Sequence, residues 1–588
     1  MRILSIYWGI CSSASIYVNG KVIAATHEER YTRIKNDDSF PINAIEYCLR
    51  EAGITSQELD YAAVASEMQD FHHQLTRASK WSIDDYLKEQ REYWKPLLYE
   101  NKKLEFTEVF DYLKDYEQYP SEYWKNSEST PENFYEDRAS ILAEYLGINR
   151  NKVKRIEHHK AHAYYSYYAS SFRNEKVLSF TVDGHGDGLN ATIGIFDEKG
   201  HYTRVFETNQ CYIARIYRYM TLLLGMKPNE HEFKVMGLAP YGKAKYGQEA
   251  YEVFANTLYV DGIEFKWKEK PTDSYYYFKE KLEGIRFDNV AWGLQTWVEN
   301  LLKDWVRNSI NKFGIKKVIL SGGVAMNIKA MGEIAKLPEV EDIFVGGSAS
   351  DESLAISAGI CLAEEITSSW TNNIYPIDNL YLGAQASIEA ETEVVSNLDE
   401  SLYTIIKNPM AKNVAEVLTN GKVLARCAGR MEFGQRALGN RSIIADPKDL
   451  RVKETINKMI KNRDFWMPFA PIIMDKYTNI YLKNPKELFS PYMTIGFDTT
   501  EDGYEAMTAA AHPADKSARP EMLTKELNEE VYSIMEEFEA MTGRGAILNT
   551  SFNLHGFPIV NTPKEAIYVL ENSGLDGLIL NYYLIMKK

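Results

Sequence analysis

An apolar segment that runs directly into a glycine pair and then into a helical pattern occurs twice in this 588-residue chain. The first copy, LSGGVAMN, spans residues 320–327, and the second, GGSASDESLA, spans residues 346–355. Glycines at such a turn let backbone N–H groups approach a phosphate, and the N-terminus of the following helix favours an anion. The pattern predicts an α/β fold in which the backbone at Gly322 and Gly323 approaches a phosphate.

A β-hairpin is predicted near the N-terminus, where Asn19-Gly20 joins two β-rich segments, because this dipeptide favours two-residue turns. A strand before the hairpin and a helix at residues 41–52, closed by Gly53, extend this unit. The start of the chain also resembles a signal peptide, with one positive charge and a small-residue end. We favour the strand, since cleavage would remove the segment with which the hairpin pairs.

The rest of the chain divides into two α/β regions. Two β-rich segments at residues 176–196 flank Asp183, and one long helix is predicted at residues 288–313. A polar, irregular stretch at residues 368–378 is the expected linker between the regions. The sequence contains no evident tandem repeat.

The composition is typical of a soluble globular protein, with 45% hydrophobic and 26% charged residues. A formal net charge of −16 repels a phosphate backbone, so we expect no nucleic-acid partner. No segment approaches the roughly 18 apolar residues that span a bilayer, so we expect no membrane partner. The five cysteines are widely spaced and include no C-x-x-C pair, which favours a reducing cytoplasm over disulfides or structural zinc.

Aromatic residues crowd between acidic residues from about 68 to 148, mostly at helical spacing. The favoured interpretation is an insertion of helices that pack on the main body. The alternative is an insertion that lines a pocket for a sugar or another ring-containing acceptor.

A metal site is the first sharp chemical prediction. His158 and His162 are four residues apart, so on a helix both imidazoles project from one face and can share a metal. Asp351, at the second glycine turn, is the candidate for a third, hard ligand. The alternatives are histidines that cap the helix or face solvent, and an aspartate that caps the next helix.

An anion site is predicted at residues 429–443, GRMEFGQRALGNRSI, where three arginines stand among three glycines. Forked guanidiniums beside an open backbone suit bidentate binding of phosphate or carboxylate. The alternative is a set of salt bridges to the acidic excess. Further candidates follow a strand or lie in charged segments: Lys234, Gly237, Lys461, Arg463, Asn549, Ser551 and Asn553.

Seven segments together resemble the O-carbamoyltransferase family of the NodU, CmcH and TobZ type, whose members carbamoylate nodulation factors, cephalosporins and aminoglycosides. They are EERYTRIK at residues 28–35, HHKAHA, NEHEFKVMGLAPYG, GGVAMN, FGQRALGNRSI, PFAP and NTSFN. GGVAMN and the histidine pair are shared with the wider group that makes threonylcarbamoyl-tRNA.

The resemblance implies two modules. Residues 1–375 would form an actin- or hexokinase-like (Kae1-like) domain with the aromatic insertion at about 68–148, and residues 376–588 a YrdC-like α/β domain. His158, His162 and Asp351 would bind a divalent metal such as Fe²⁺. The second domain would join carbamoyl phosphate to ATP, with Mg²⁺, giving carbamoyl-adenylate and pyrophosphate.

The intermediate would pass inside the protein to the first domain, where an acceptor hydroxyl attacks. The family motifs imply that the donor phosphates are held by Arg436, Arg441, Lys461 and Arg463. They imply cofactor contacts for Asp183, Lys234, Gly237, Gly322, Gly323, Asn327, Asn549, Ser551 and Asn553.

Two positions depart from the family pattern. Ile10 stands where relatives have a histidine, and Met467 stands where many have an arginine. If the missing histidine deprotonates the acceptor, His27 or His231 is the candidate to replace it. A second interpretation assigns acceptor activation to the metal, and a third is that the chain has lost transfer.

The expected function is therefore an ATP-dependent O-carbamoyltransferase for a sugar-containing natural product or glycan. The expected partners are carbamoyl phosphate and a small hydroxyl-bearing acceptor, with a homodimer as the assembly considered. A degenerate nucleotide-binding protein and a threonylcarbamoyl-tRNA-type transferase are the alternatives. The fused C-terminal module and the acidic charge count against the tRNA enzyme.

Overall fold

A computed structural model describes residues 1–67, 80–104, 106–110, 131–367, 374–461 and 464–588, with the backbone alone at 107, 131–137, 459 and 461. Parts of the predicted insertion, residues 368–373 of the predicted linker, and Arg463 therefore lie outside the described residues. No helix in the described ranges combines the length and apolar character that a membrane crossing requires.

The β-strands of the described residues are β1 Arg2–Tyr7, β2 Ser13–Val18, β3 Lys21–His27, β4 Tyr61–Ala65, β5 Val153–Ile156, β6 Val177–Gly186, β7 Leu189–Phe196, β8 Tyr202–Thr208, β9 Leu258–Asp261, β10 Glu264–Trp267, β11 Lys317–Ser321, β12 Asp342–Val345, β13 Tyr403–Lys407, β14 Leu424–Cys427, β15 Arg441–Ala445, β16 Ala470–Met474, β17 Phe497–Asp498, β18 Ser517–Ala518, β19 Glu521–Leu523, β20 Ala546–Ser551, β21 Gly577–Ile579 and β22 Tyr583–Lys587.

The α-helices are α1 Glu29–Thr32, α2 Ile42–Ala52, α3 Ile83–Lys88, α4 Lys95–Tyr99, α5 Phe106–Val109, α6 Pro131–Leu146, α7 His158–Ala169, α8 Ile213–Leu223, α9 Glu232–Leu238, α10 Ala244–Ala255, α11 Tyr276–Lys281, α12 Phe287–Phe313, α13 Ile328–Ala335, α14 Leu354–Thr367, α15 Ile388–Ser396, α16 Ala411–Thr419, α17 Leu450–Ile456, α18 Thr478–Tyr481, α19 Glu501–Ala506, α20 Glu529–Thr542 and α21 Pro563–Glu571. The α/β class predicted from the sequence is confirmed.

Two five-stranded sheets in the N-terminal half share one topology. The first has the order β3-β2-β1-β4-β5 and the second β12-β11-β6-β7-β8. In each, three antiparallel strands are followed by two strands parallel to the first strand of the set. The half is therefore an internal duplication at the level of structure, although the sequence contains no visible repeat.

The predicted N-terminal hairpin is confirmed. Strand β2 pairs with β1 and with β3, and the turn residues Asn19 and Gly20 have φ values of 47° and 95°. Two consecutive positive φ angles are the requirement of a type I′ turn, which matches the right-handed twist of the strands. Gly53 ends helix α2 in the left-handed conformation, as its position predicts.

The described aromatics of the insertion pack against the main body. Trp81, Tyr86, Phe106 and Phe110 are at most 6% exposed and belong to the same hydrophobic cluster as the long helix α12. The Trp81 and Phe110 rings stack with centroids 4.7 Å apart. The packing interpretation is confirmed for these four residues.

The C-terminal half contains an eight-stranded mixed sheet with the order β13-β22-β21-β14-β15-β20-β16-β19. The arginine-rich segment of residues 428–440 is the connection between the antiparallel neighbours β14 and β15. Since both strands lie in the middle of the sheet, this connection has fixed ends.

The two halves touch through backbone as well as side chains. The Gly496 N–H donates to the Ile328 carbonyl at 2.9 Å. A Cβ on Gly332 would lie 2.3 Å from the Gly496 carbonyl oxygen. Glycine at 332 therefore permits an approach that any side chain would block.

We expect Gly332→Ala to destabilise the protein by about 1–3 kcal/mol, because the added methyl meets backbone that cannot rotate away. Gly184→Ala is the matched control, since its Cβ would meet only Ala214 Cβ at 4.0 Å. Urea unfolding of both variants provides the measurement. Equal midpoints for Gly332→Ala and the wild type would contradict this account of the interface.

Candidate metal centre and anion site

Four ionisable side chains meet between the two N-terminal sheets. His158 and His162 lie in the first turns of helix α7, Asp183 lies on strand β6, and Asp351 begins the short 3₁₀ helix after the second glycine turn. One ligand atom from each lies within 4.8 Å of all the others. The two histidines and Asp351 of the predicted site are brought together, and Asp183, predicted as a cofactor contact, joins them.

The imidazole Nε2 atoms face the carboxylates. His162 Nε2 lies 3.0 Å from Asp183 Oδ2 and 3.3 Å from Asp351 Oδ1. His158 Nε2 lies 3.4 Å and 3.7 Å from the same two atoms. Two nitrogens and two oxygens thus converge on one small volume.

Serine hydroxyls outside the cluster orient both histidines. His158 Nδ1 lies 2.9 Å from Ser66 Oγ, and His162 Nδ1 lies 3.3 Å from Ser321 Oγ. The Tyr7 hydroxyl donates to Asp351 Oδ2 at 2.7 Å. Outer partners on the distal ring nitrogen are typical of metal-binding histidines, because they fix the tautomer that leaves Nε2 free to bind.

Burial and mutual charge set the protonation of the cluster. Burial opposes charge on His158, but the carboxylates of Asp351 and Asp183 outweigh it and raise the pKa of His158 to about 9. Despite its burial, hydrogen bonds from the two histidines hold the pKa of Asp183 well below its usual range. Burial and the neighbouring Asp183 carboxylate raise the pKa of Asp351.

The four residues fit a divalent cation. Asp351 Oδ1 is buried and has no well-aligned hydrogen-bond donor among the residues that the structure describes, although two imidazole nitrogens lie 3.3 and 3.7 Å away. An acceptor in that state suits a metal ligand, since a buried carboxylate oxygen without a partner is costly. Mixed imidazole and carboxylate ligands suit Fe, Mn and Zn.

The first glycine turn supports this cluster. Gly322 has φ 96°, and a Cβ there would lie 2.2 Å from the Val182 carbonyl oxygen of β6. A Cβ on Gly323 would lie 3.1 Å from Asp183 Oδ1. The Asn327 side chain exchanges two hydrogen bonds with the Gln295 amide and caps helix α13, and its predicted cofactor contact stays a prediction.

The arginines of the C-terminal connection divide into two kinds. The Arg441 side chain is 1% exposed and donates to the carbonyls of Ala428, Gly429, Asn440 and Ala384 at 3.0–3.2 Å. Arg430 likewise donates to the carbonyls of Ile23 and Leu382. The Nη1 and Nη2 groups of Arg441 thus brace the backbone of the connection, while its Nε has no hydrogen-bond partner among the described residues, and its predicted phosphate contact stays a prediction.

The Arg436 guanidinium, in contrast, is available to bind an anion. Its one hydrogen bond in the described residues is a long one, 3.4 Å, to the Tyr492 carbonyl, and no described acid forms an ion pair with it. Burial, followed by the nearby charge of Arg519, lowers the pKa of Arg436 to about 9. Burial lowers the pKa of Arg519 to about 10. The Glu352 carboxylate also acts on Arg436, but it forms no ion pair with it, and two neighbouring guanidiniums without an ion-paired acid among the described residues favour an anionic ligand.

Sequence reasoning missed Arg519. It lines a cavity of about 60 Å³ between the two halves, together with Gly237, Lys329, Met467 and His512. Its only sequence signal was a lone arginine ahead of a short strand. The Lys461 side chain and all of Arg463 lie outside the described residues, so their predicted phosphate contacts stay predictions.

The remaining predicted contacts are dispersed around this interface. Lys234 forms an ion pair with Asp464 at 3.1 Å. The Gly237 carbonyl accepts from His512 Nε2 at 2.8 Å. The Asn549 amide donates to the Ala437 carbonyl and to Glu521, and the Ser551 hydroxyl donates to Asn553 Oδ1.

In both candidate replacements for the missing histidine, one ring nitrogen accepts a hydrogen bond from a backbone N–H. His27 is 1% exposed, and its Nε2 accepts from the Gly434 N–H at 3.2 Å. His231 Nδ1 accepts from the Lys227 N–H at 3.1 Å, and burial and the Lys234 charge lower the pKa of His231 to about 4. Each neutral ring therefore carries its proton on the other nitrogen.

Family models for the two parts of one enzyme family match the two halves of this chain. The model for the carbamoyltransferase N-terminus matches residues 2–360, and that for the carbamoyltransferase C-terminus matches residues 415–587. The chain belongs to the carbamoyltransferase family and is a carbamoyltransferase enzyme. The family resemblance inferred from the sequence motifs is confirmed.

Similar proteins include a nodulation protein NolNO of Sinorhizobium fredii, 28% identical over 98% of this chain and 79% of the relative. An uncharacterized Methanocaldococcus jannaschii protein is 28% identical over the full length of both chains. The 3'-hydroxymethylcephem-O-carbamoyltransferase of Amycolatopsis lactamdurans is 24% identical over 44% of this chain and 47% of the relative.

Among solved structures, full-length HypF in a phosphate- and nucleotide-bound form has a TM-score of 0.31 at 13% identity, covering 63% of this chain and 56% of that one. HypF of T. kodakarensis has a TM-score of 0.36 at 11% identity, covering 62% and 48%.

We expect His158→Gln to weaken Co²⁺ binding at least about 100-fold, because losing an outer-shell partner alone costs 10–100-fold. His159→Gln is the matched control. It changes the neighbouring histidine, which packs edge-on against the His158 ring but is not one of the four ligand residues, its Nδ1 lying 2.7 Å from Thr181 Oγ1. Calorimetric titration with Co²⁺ measures both. Equal loss in the two variants would contradict the assignment of ligands.

Co²⁺ affinity is also expected to rise with pH. Because the pKa of His158 is raised to about 9, its Nε2 carries a proton at neutral pH that the metal must displace. Displacing one proton makes the binding constant rise about tenfold per pH unit below that pKa. Titrations at pH 6, 7 and 8 measure the slope, and a pH-independent affinity would show that no proton is displaced.

Proposed function

We propose that this chain is an ATP-dependent O-carbamoyltransferase that moves the carbamoyl group of carbamoyl phosphate to a hydroxyl of a sugar-containing small molecule or glycan. The observation that carries the proposal is the presence of two separate sites on one chain. One is the cluster of His158, His162, Asp183 and Asp351, and the other is the arginine pair Arg436 and Arg519.

The fold supports a different role for each half of the chain. The duplicated five-stranded sheets of the N-terminal half suit an actin-like, Kae1-like nucleotide-binding domain, with its ligands in the cleft between the duplicates. The eight-stranded sheet suits the YrdC-like assignment for residues 376–588. The name of the Amycolatopsis relative, a cephem O-carbamoyltransferase, supports a hydroxyl as the acceptor.

The donor reaction would occur beside the arginine pair. Carbamoyl phosphate is hydrolysed to carbamate and phosphate, and a carbamate oxygen then attacks the α-phosphorus of ATP and expels pyrophosphate. Arg436 and Arg519 would hold the anions through charge-assisted hydrogen bonds, whose donors are preorganised because burial keeps them out of water. The balance requires one phosphate for each pyrophosphate.

Transfer would occur at the histidine–aspartate cluster. A divalent cation held there would supply positive charge next to the reacting oxygens. His158 and His162 would be kept in the binding tautomer by Ser66 and Ser321. His27 and His231 each already accept a hydrogen bond from a backbone N–H. We therefore assign activation of the acceptor hydroxyl to the histidine–aspartate cluster.

Purified protein given ATP, Mg²⁺ and carbamoyl phosphate is expected to release pyrophosphate and phosphate in equal amounts. We expect Arg519→Ala to raise the KM for carbamoyl phosphate at least about tenfold, since one of two anion-binding guanidiniums is lost. Arg451→Ala is the control, because Arg451 is exposed and paired with Asp449. Coupled assays for the two products give the readout. Release that does not depend on carbamoyl phosphate would contradict the proposed donor.

A further inference from the structure

The backbone of Gly434 is held at both ends by side chains from the other half of the chain. The Gly434 N–H donates to His27 Nε2 at 3.2 Å, and Arg30 Nη2 donates to the Gly434 carbonyl at 2.7 Å. Glu29 neutralises Arg30 and also accepts the Asn36 N–H at 2.7 Å. His27, Glu29 and Arg30 are all at least 93% buried, so no water competes for these bonds.

The opposite face of Gly434 rests on the loop that carries Asp351. A Cβ on Gly434 would lie 2.9 Å from Ser348 Oγ, and its φ of 111° is one that other residues rarely adopt. The Ser348 hydroxyl donates to Glu352 Oε1 at 2.6 Å, and Glu352 follows Asp351 directly. Gly434 is thus wedged between strand β3 and the metal-bearing loop.

Arg436 lies two residues after Gly434 in the chain. Because the long bond to the Tyr492 carbonyl is the one hydrogen bond that its guanidinium makes within the described residues, we expect the loop backbone to set the position of Arg436. Phe433, on the other side of Gly434, is fixed by its N–H bond to the Leu380 carbonyl and by edge-on contact with the His27 ring at 4.6 Å. On the other side of Arg436, the Ala437 carbonyl accepts from Asn549 at 2.9 Å and the Leu438 N–H donates to Glu432 at 2.7 Å, so the arginine stands between two held stretches of backbone.

We propose that His27 and Arg30 are positioning residues for the donor reaction. Acting through Gly434, these two side chains of the N-terminal half hold Arg436 of the C-terminal half in its anion-binding position. The inference rests on the proposed role of Arg436 at the donor phosphates. It gives the EERYTRIK segment and its preceding histidine a function in a site to which they contribute no ligand.

The test uses inorganic pyrophosphate as a probe for the full-length protein, so that no turnover is needed. We expect His27→Ala to weaken pyrophosphate binding at least about tenfold, because displacement of a binding group by about 1 Å has effects of this size or larger. His27→Gln, which can offer an amide oxygen to the Gly434 N–H, should recover most of the affinity. Calorimetry gives the dissociation constants.

Gly434→Ala provides the second arm. Its methyl group meets Ser348, so pyrophosphate binding should weaken, and adding Ser348→Gly should restore it in part. Gly543→Ala is the matched control, since Gly543 also has a positive φ, 71°, but open space around its Cβ position. Co²⁺ titration at the histidine–aspartate cluster checks that each variant is folded.

Each outcome decides the proposal. Weak pyrophosphate binding in His27→Ala and Gly434→Ala, with recovery in His27→Gln, normal Co²⁺ binding and a normal Gly543→Ala, supports it. Wild-type affinity in both variants overturns it, as does equal weakening of pyrophosphate and Co²⁺ binding, or a wild type that binds no pyrophosphate. A wild type that binds pyrophosphate but releases no product would refute the proposed reaction. The pyrophosphate affinities of the His27 and Gly434 variants would then still decide whether His27 and Arg30 position Arg436.

Discussion

The mutual neutralisation of two aspartates and two histidines is the interaction on which the N-terminal half depends. Neither carboxylate could be buried alone, because the desolvation of an unpaired charge costs several kcal/mol. The four side chains come from helix α7, strand β6 and the turn after β12, so the cluster ties the second sheet to its own returning loop. Gly322 makes this possible, since only a glycine can pass the β6 backbone at that distance.

The second constraint is the way in which the halves hold each other. The guanidiniums of Arg430 and Arg441 donate to backbone carbonyls. His27 and Arg30 form hydrogen bonds to the backbone of Gly434, which lies between those two arginines in the chain. What remains is an arginine pair with no described acid partner. The protein therefore separates cations that build the connection from cations that can bind a ligand, although all of them look alike in the sequence.

Turn and helix geometry, which depends on residues close together in the sequence, allowed part of the fold and part of the site to be predicted. The Asn19-Gly20 hairpin, the Gly53 helix end and the shared face of His158 and His162 follow from turn and helix geometry. Spacing could not show that Asp183 joins the histidines, because that depends on the path of β6. It also could not reveal the duplicated sheets or Arg519, whose significance comes from its burial and its charge beside Arg436.

The central claim, an adenylated carbamoyl group, is tested most directly by following oxygen. Carbamoyl phosphate labelled with ¹⁸O at both carbamoyl oxygens is incubated with ATP and the protein, and the AMP formed is analysed by mass spectrometry. Attack of a carbamate oxygen on the α-phosphorus, followed by cleavage at the carbonyl carbon, predicts AMP that carries a labelled oxygen. Unlabelled AMP, or ADP as the nucleotide product, would contradict the account.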